Sequence, residues 1–234
     1  MEFKKILPDL PPALQLPLDP NLSWADLIAR DAYLKVFTKK DILVNIEEKV
    51  DGSSVAITVQ DKHPLIRNKD RLLQKGETAK SPNKKQYASI WNWFYKNKDK
   101  FDDLESILGP CSVYGEWMWM QHGLEYDALP SWFIAFDIFH HKNNRFLSPQ
   151  QARPILEKTG FCLAQNIPHG ELVTFGDYVD LVEGPSAITT KGNREGIYIK
   201  ITDPKEDIYS FKMVRRDFIQ GALFTDKVLK NRLL

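Results

Sequence analysis

The sequence predicts an α+β fold, a single domain of antiparallel sheets with helical insertions. Three observations point there. Short segments rich in β-branched and aromatic residues alternate at period two, as in Ile42, Val44 and Ile46 or in the stretch Glu195–Ile201. Between them lie segments with apolar residues at helical spacing, such as Tyr87, Ile90, Trp91 and Phe94. No repeat, low-complexity tract or linker divides the chain, and strands interrupted by helices suit antiparallel sheets.

Taken in order, residues 1–22 are proline-rich (ILPDLPPALQLPLDPN) and cannot form a long helix. They read as an extended arm lying on the domain or partly loose, ahead of a domain over 23–234. Ser23 is placed to cap a short helix with Trp24, Leu27 and Ile28 on one face, ending near Leu34. Ile42–Gln60 reads as a hairpin turning through Asp51-Gly52. Ser81-Pro82 starts the clearest helix, whose aromatic stripe is expected in the core, and Asp102–Leu108 follows, stopped by Gly109-Pro110. Ser112–Met120 and Trp132–Phe139 are strands by composition. Ser148-Pro149 opens a helix to Lys158, weakened or kinked by Pro154, and Thr174 caps another toward Val182. Glu195–Ile201 and Ile208–Val214 read as antiparallel partners across Asp203-Pro204, and Asp217–Leu233 as a closing helix.

Composition sets limits. With 234 residues, 43% hydrophobic content and 13 Phe, 8 Tyr and 6 Trp, the chain can fill a substantial core. A net charge of +1 excludes a strongly basic or acidic protein. Lys62–Lys100, with eleven Lys or Arg and few acids, is a candidate polyanion patch or equally a solvated helix face. The two cysteines, Cys111 and Cys162, belong to no CxxC pair, so neither a zinc knuckle nor a disulfide framework is implied. No apolar run reaches membrane length and no signal-peptide core is present, so a reducing, cytoplasmic setting without a membrane partner is expected.

The chemistry is signalled by charges inside or at the ends of apolar strands. They are Lys49 and Asp51, Arg67, Glu116, Asp137, Glu195 and Lys200, and Lys212. Buried charges are costly unless paired or bound to a ligand or metal. A lysine amine, several carboxylates and further cations together suit phosphoryl chemistry: carboxylates hold a divalent metal, and cations neutralise a transferring phosphate.

In order, these segments resemble the nucleotidyltransferase motifs of the ATP-dependent RNA and DNA ligases. EKVDGS matches motif I, KxDG; IRNKD resembles motif Ia; VYGEWM resembles motif III; FIAFDIF resembles motif IIIa; EGIYIK matches motif IV; SFKMVRRDF resembles motif V. They span Glu47 to Phe218, about three-quarters of the chain, and the tract from Tyr114 to Phe139 looks more like RNA ligases than replicative DNA ligases. The resemblance implies a nucleotidyltransferase domain in which Lys49 attacks the α-phosphate of ATP to form a lysyl-AMP. A free lysine amine has a pKa of about 10.4, so it must lose its proton with help from neighbouring charge or desolvation. Glu47 or Glu48 would contact the adenine N6 edge, the other being expected as a surface charge. Arg67 and Glu116 would hold the ribose. Phe136 would stack on adenine, with Phe133 as its rival. Asp51 and Glu195 would orient Mg²⁺ (or Mn²⁺) and its waters, and Lys200 and Lys212 would contact phosphate. Asp137 and His122 read as structural residues.

The chain departs from the pattern twice. Motif V usually offers KxK; here Lys212 is followed by Arg215 and Arg216, a KxxRR pattern with Arg215 as the candidate second cation. About sixteen residues follow Phe218, too few for the OB domain of DNA ligases and capping enzymes. The expectation is therefore an ATP-dependent RNA ligase joining 5′-phosphate and 3′-hydroxyl RNA ends, with an accessory protein standing in for the OB domain. A DNA nick ligase on the same domain and a nucleic acid-binding scaffold that has lost catalysis are the alternatives. GTP and NAD⁺ fit less well than ATP.

Overall fold

Proline spacing keeps the first residues out of a long helix, and only one turn forms, α1 (Phe3–Ile6), ahead of an extended stretch with β1 (Leu14–Gln15). A computed structural model describes the chain except residues 1, 2, 17, 19–23, 70, 77–85, 172–174 and 219–228, with backbone alone at 3, 4, 24–28 and 175. The expected caps at Ser23 and Thr174, the Ser81-Pro82 helix start and the apolar face of Trp24, Leu27 and Ile28 lie outside the described residues or side chains. Then follow α2 (Trp24–Phe37), β2 (Leu43–Lys49), β3 (Ser53–Gln60) and β4 (His63–Asn68). After these come α3 (Ile90–Lys96), α4 (Lys98–Leu108), β5 (Cys111–Trp117), β6 (Phe133–His140) and β7 (Arg145–Phe146). The last elements are α5 (Pro149–Lys158), α6 (Phe175–Val182), β8 (Gly196–Thr202) and β9 (Ile208–Val214).

The expected hairpin over 42–60 does not form. β2 pairs with β8 and β3 pairs with β4 and β5, in different sheets. Gly52 is therefore no hairpin turn, and its φ is not left-handed. It is a close approach: a Cβ there would lie 2.7 Å from Met118 Sδ and 2.9 Å from the Trp117 carbonyl. The expected closing helix is corrected too where it is described. Residues 229–234 are extended, bridging Met120 through Lys230 and Leu129 through Leu233.

Two compact units result. One comprises Met1–Asp9, Asp51–Leu163 and Gly221–Leu234; the other comprises Leu10–Val50 and Ala164–Gln220. The first holds a five-stranded antiparallel sheet, order β4-β3-β5-β6-β7. Its core face carries Val55, Ile57, Val113, Trp117, Phe133 and Ile138, packed on Ile90, Phe94, Phe101 and Leu156 from the helices. The stripe of Tyr87, Ile90, Trp91 and Phe94 is core, as its spacing predicts. Ser148 and Gln151 form a capping box at the start of α5, and Gly160 in the left-handed region ends that segment. The second unit holds a four-stranded sheet, order β1-β9-β8-β2, packed by Tyr33 and Val36 of α2 and Tyr178 and Val182 of α6. β8 and β9 are antiparallel partners as their sequences predict, while β1 joins β9 in parallel.

Two consequences are testable. Gly115 lies where a Cβ would sit 2.4 Å from the Ile134 carbonyl and 2.6 Å from the Phe133 ring. Gly115→Ala is expected to destabilise the protein by about 1–3 kcal/mol, read as a lower urea midpoint. Lys39 Nζ lies 2.8 Å from Asp203 Oδ2 and 2.9 Å from the Tyr209 hydroxyl. Its hydrogen bonds to both raise the Lys39 pKa, and the Lys39 bond holds the Asp203 carboxyl below the usual range. Stabilisation from Asp203 is present above its unfolded pKa and lost as pH falls through the folded value. That from Lys39 is complete below its unfolded pKa and lost as pH rises through the folded value. The stability gap between native protein and Lys39→Ala should thus be flat from roughly pH 4 to pH 10 and shrink on either side, measured by urea midpoints.

Candidate active site

In the four-stranded sheet, register decides which side chains share a face. Ile46, Ile197, Ile199, Phe211 and Met213 face the core. Directly paired residues of antiparallel strands share a face, and alternate residues share it along one strand. Glu47 pairs with Tyr198, Asn45 with Lys200 and Lys49 with Gly196, while Tyr198 pairs in turn with Lys212. Glu47, Lys49, Lys200 and Lys212 therefore project from the face opposite that core. Glu195 precedes Gly196 and meets the lysine at the end of β2. Lys49 Nζ lies 2.6 Å from each carboxylate oxygen of Glu195. Glu195 is almost wholly buried, whereas the Lys49 side chain keeps 20% of its surface exposed.

Both glutamates before Lys49 are buried at 2% exposure, which corrects the expectation that one is a surface charge. The reason is a covered edge. Glu48 N–H donates to the Gln165 carbonyl at 2.8 Å and Ile167 N–H to the Ile46 carbonyl at 2.9 Å, so residues 165–167 close β2 on its outer side. Glu47 Oε2 lies 3.5 Å from Lys200 Nζ, and both side chains are almost wholly buried. Glu48 lies on the core side, where its carboxylate accepts from the Ser186 hydroxyl and from Ala187 N–H at 3.0 Å. Gly196 stands where a Cβ would be 2.0 Å from the Met213 carbonyl, a physical reason for glycine beside Glu195.

The five-stranded sheet carries the other predicted residues. Arg67 pairs with Ala56, Ala56 with Tyr114 and Tyr114 with Asp137, while Glu116 lies between Ser54 and Ile134. Arg67, Tyr114, Glu116 and Asp137 thus share the face opposite the core. On β6 the register shifts: Tyr114 pairs with Asp137 but Gly115 with Ala135. Phe136 is the extra residue of this bulge, left half-buried, while Phe133 is fully buried in the core. The structure so separates the two rivals for a stacking ring.

Arg67 is corrected. Its guanidinium donates to the Leu7 carbonyl at 2.7 Å, Asp9 Oδ1 at 2.6 Å, and the Asn68 and Lys69 carbonyls at 3.0 and 2.9 Å. The Tyr114 hydroxyl donates to the Pro8 carbonyl at 2.7 Å. With its donors on four acceptors, Arg67 fastens residues 7–9 to the sheet instead of presenting a fork to a ribose.

Asp51 sits in a polar nest of the same unit. Its Oδ2 accepts from Gly123 N–H at 2.6 Å, and its own N–H donates to the Tyr126 hydroxyl at 2.9 Å. His122 Nδ1 lies 3.8 Å from Asp51 Oδ1. Burial lowers the His122 pKa, and Asp51 partly offsets this. Tyr126, Gly123 and Ser186 are residues that sequence reasoning missed. Tyr126 and Gly123 lie in the ligase-like tract after Glu116 but carry no periodic or charge signal. Among the described residues, no group of three or more His, Cys, Asp or Glu is gathered to hold a metal by itself. No helix among them is long and apolar enough to cross a membrane.

Lys49 is thus held against the buried Glu195, with Glu47, Lys200 and Lys212 on its face. The RNA ligase family model matches residues 43–214, a span holding every one of these motif residues. The chain belongs to the RNA ligase family. Its fold is that of solved Naegleria gruberi RNA ligase structures. The ligase with PPi is 19% identical, with 92% of this chain and 65% of that one covered and a TM-score of 0.58. A mutant with ATP and Mn is 18% identical, with 81% and 52% covered and a TM-score of 0.56. An apo mutant is 18% identical, with 85% and 55% covered and a TM-score of 0.57. The chain spans between 52% and 65% of the length of the ligase in these three structures. No curated protein matches it.

The buried Glu47–Lys200 pair of this RNA ligase family member can be tested apart from activity. Lys200→Met removes the cation beside a buried carboxylate and should cost about 3–5 kcal/mol. Adding Glu47→Gln should recover most of that loss, with both read from denaturant unfolding.

Proposed function

We propose that this chain is an ATP-dependent RNA ligase acting through a lysyl-AMP at Lys49. The observation that carries the reading is the contact of Lys49 Nζ with both oxygens of Glu195 at 2.6 Å, on a face shared with Glu47, Lys200 and Lys212. Glu195 aims the amine, whose proton passes to solvent. The Nζ–phosphorus bond then forms at the α-phosphate of ATP as the bond to the β-phosphate oxygen breaks, and pyrophosphate leaves. Lys200 and Lys212 supply positive charge for the phosphates. Glu47 shares the nucleophile's face, which favours it over Glu48 for the adenine N6 edge, and Phe136, re-aimed by its bulge, stacks on the base. Glu116 holds the ribose without Arg67.

AMP next passes from Lys49 to a 5′-phosphate RNA end as a phosphoanhydride. A 3′-hydroxyl attacks that end and AMP departs. Asp51 and Glu195 are each carboxylates of the chemistry that a hard divalent cation, Mg²⁺ or Mn²⁺, takes together with phosphate oxygens and water. When bound, such an ion offsets charge on the α-phosphate and the departing pyrophosphate. The ATP and Mn in the Naegleria structure support the cofactor choice. An accessory protein that holds the RNA, in a reducing cytoplasmic setting, completes the reading.

Incubation with labelled ATP and Mg²⁺ is expected to give an adenylylated protein. Lys49→Ala should reduce labelling to background, and Glu195→Ala should slow it by about 10²-fold or more. Native labelling by Lys49→Ala would remove the nucleophile assignment. The labelled protein should seal 5′-phosphorylated RNA ends faster than the same ends in DNA; the reverse preference would make it a DNA nick ligase.

A further inference from the structure

The segment Leu229–Leu234 lies outside the family-matched residues 43–214, yet it bonds repeatedly to one loop. That loop, Met118–Leu129, runs between β5 and β6 with no helix or strand of its own. The Leu229 carbonyl accepts from Gln121 N–H at 3.0 Å and the Arg232 carbonyl from Leu129 N–H at 3.1 Å. Arg232 N–H donates to the Tyr126 carbonyl at 2.9 Å, and Leu234 N–H to that of Leu129 at 3.0 Å. Asn231 is the centre. Its Oδ1 accepts from Tyr126 N–H at 2.9 Å, and its Nδ2 donates to the Met118 carbonyl at 2.8 Å and the Met120 carbonyl at 3.2 Å. An N–H on one side and two carbonyls on the other fix the orientation of this amide.

Apolar burial does not explain the segment. Leu229, Leu233 and Leu234 are 41%, 44% and 91% exposed, whereas Asn231 is 2% exposed. The one buried side chain of the six residues is the polar one. What it holds leads directly to the ligase motif. The fully buried Tyr126 accepts the Asp51 N–H on its hydroxyl, and Gly123 N–H donates to the Asp51 carboxylate. The loop thus meets Asp51 at both backbone and side chain.

We infer that Leu229–Leu234 is a positioning element for transfer of AMP to Lys49, in which Asn231, through Tyr126, sets the place of Asp51. The inference rests on the reading of Asp51 as a cation-holding residue of the ligase. Asn231 and Tyr126 are positioning residues and touch no reacting atom. A loop without a ladder needs such a brace to hold a carboxylate in one place.

The test uses the full chain with Asn231→Ala and, because that change removes a buried hub, the milder Tyr126→Phe, which deletes one oxygen. AMP labelling is followed as a function of Mg²⁺ concentration, and hydrogen exchange is followed at the Asp51 amide. Both variants should label about tenfold more slowly or worse, the factor given by about 1.4 kcal/mol of lost positioning. Both should need several-fold more Mg²⁺ for half-saturation and lose protection at Asp51, with Tyr126→Phe melting close to the native protein. A rate that falls only with the folded fraction, at native Mg²⁺ dependence and native exchange, would overturn the inference. If the native chain takes no AMP, the ligase reading fails instead. Exchange at Asp51 then decides alone: lost protection in both variants supports the positioning role, and native protection overturns it.

Discussion

Lys49 and Glu195 can meet because β2 and β8 keep one register over seven residue pairs, from Leu43 opposite Thr202 to Lys49 opposite Gly196. Side chains alternate with period two, so a slip of β2 by one residue would turn Glu47 and Lys49 to the core face, away from Lys200 and Lys212, and turn Ile46 out of it. The register is held on its core side by Ile46, Ile197, Ile199 and Ile201, all at 1% exposure or less. Packing of isoleucines on one face thereby fixes the place of Lys49 on the other. Gly196 adds a local condition, since only a residue without Cβ lets β8 approach β9 so closely beside Glu195.

The same sheet shows how charges are tolerated in a dry place. Glu47 faces Lys200, Glu195 faces Lys49, and Glu48 is met by a hydroxyl and an amide. Each of these buried carboxylates faces a cation or a donor supplied by the fold, which offsets the cost of removing it from water. Residues 165–167 complete the arrangement by covering the outer edge of β2, an edge that would otherwise offer unpaired backbone groups.

In the five-stranded sheet, irregular features do the aiming. The bulge at Phe136 breaks the alternation of β6 and separates its half-exposed ring from the core ring of Phe133. Asp51 follows the end of β2 by two residues but takes its bonds from Gly123 and Tyr126, in the loop that Asn231 braces. The N-terminal residues are likewise fastened by side chains, Arg67 and Tyr114, acting on carbonyls of Leu7 and Pro8.

The sequence by itself determined the family and the main elements. Strict alternation in Glu195–Ile201, the helical stripe around Ile90 and the order of the KxDG, GE and EGxxxK segments are local patterns, and local patterns survive in a single string of residues. It also marked Lys49, Glu195, Lys200 and Lys212 as charges out of place in apolar strands. Only the tertiary structure decided that Val44 and Val55 belong to different sheets, because alternation does not say which strand a hydrogen bond reaches. It alone showed both Glu47 and Glu48 buried, Arg67 spent on residues 7–9, Phe136 set apart by a bulge and Asn231 joined to Asp51 through Tyr126. Each of these depends on a partner distant in sequence or on a one-residue shift of register, and composition and spacing carry no record of either.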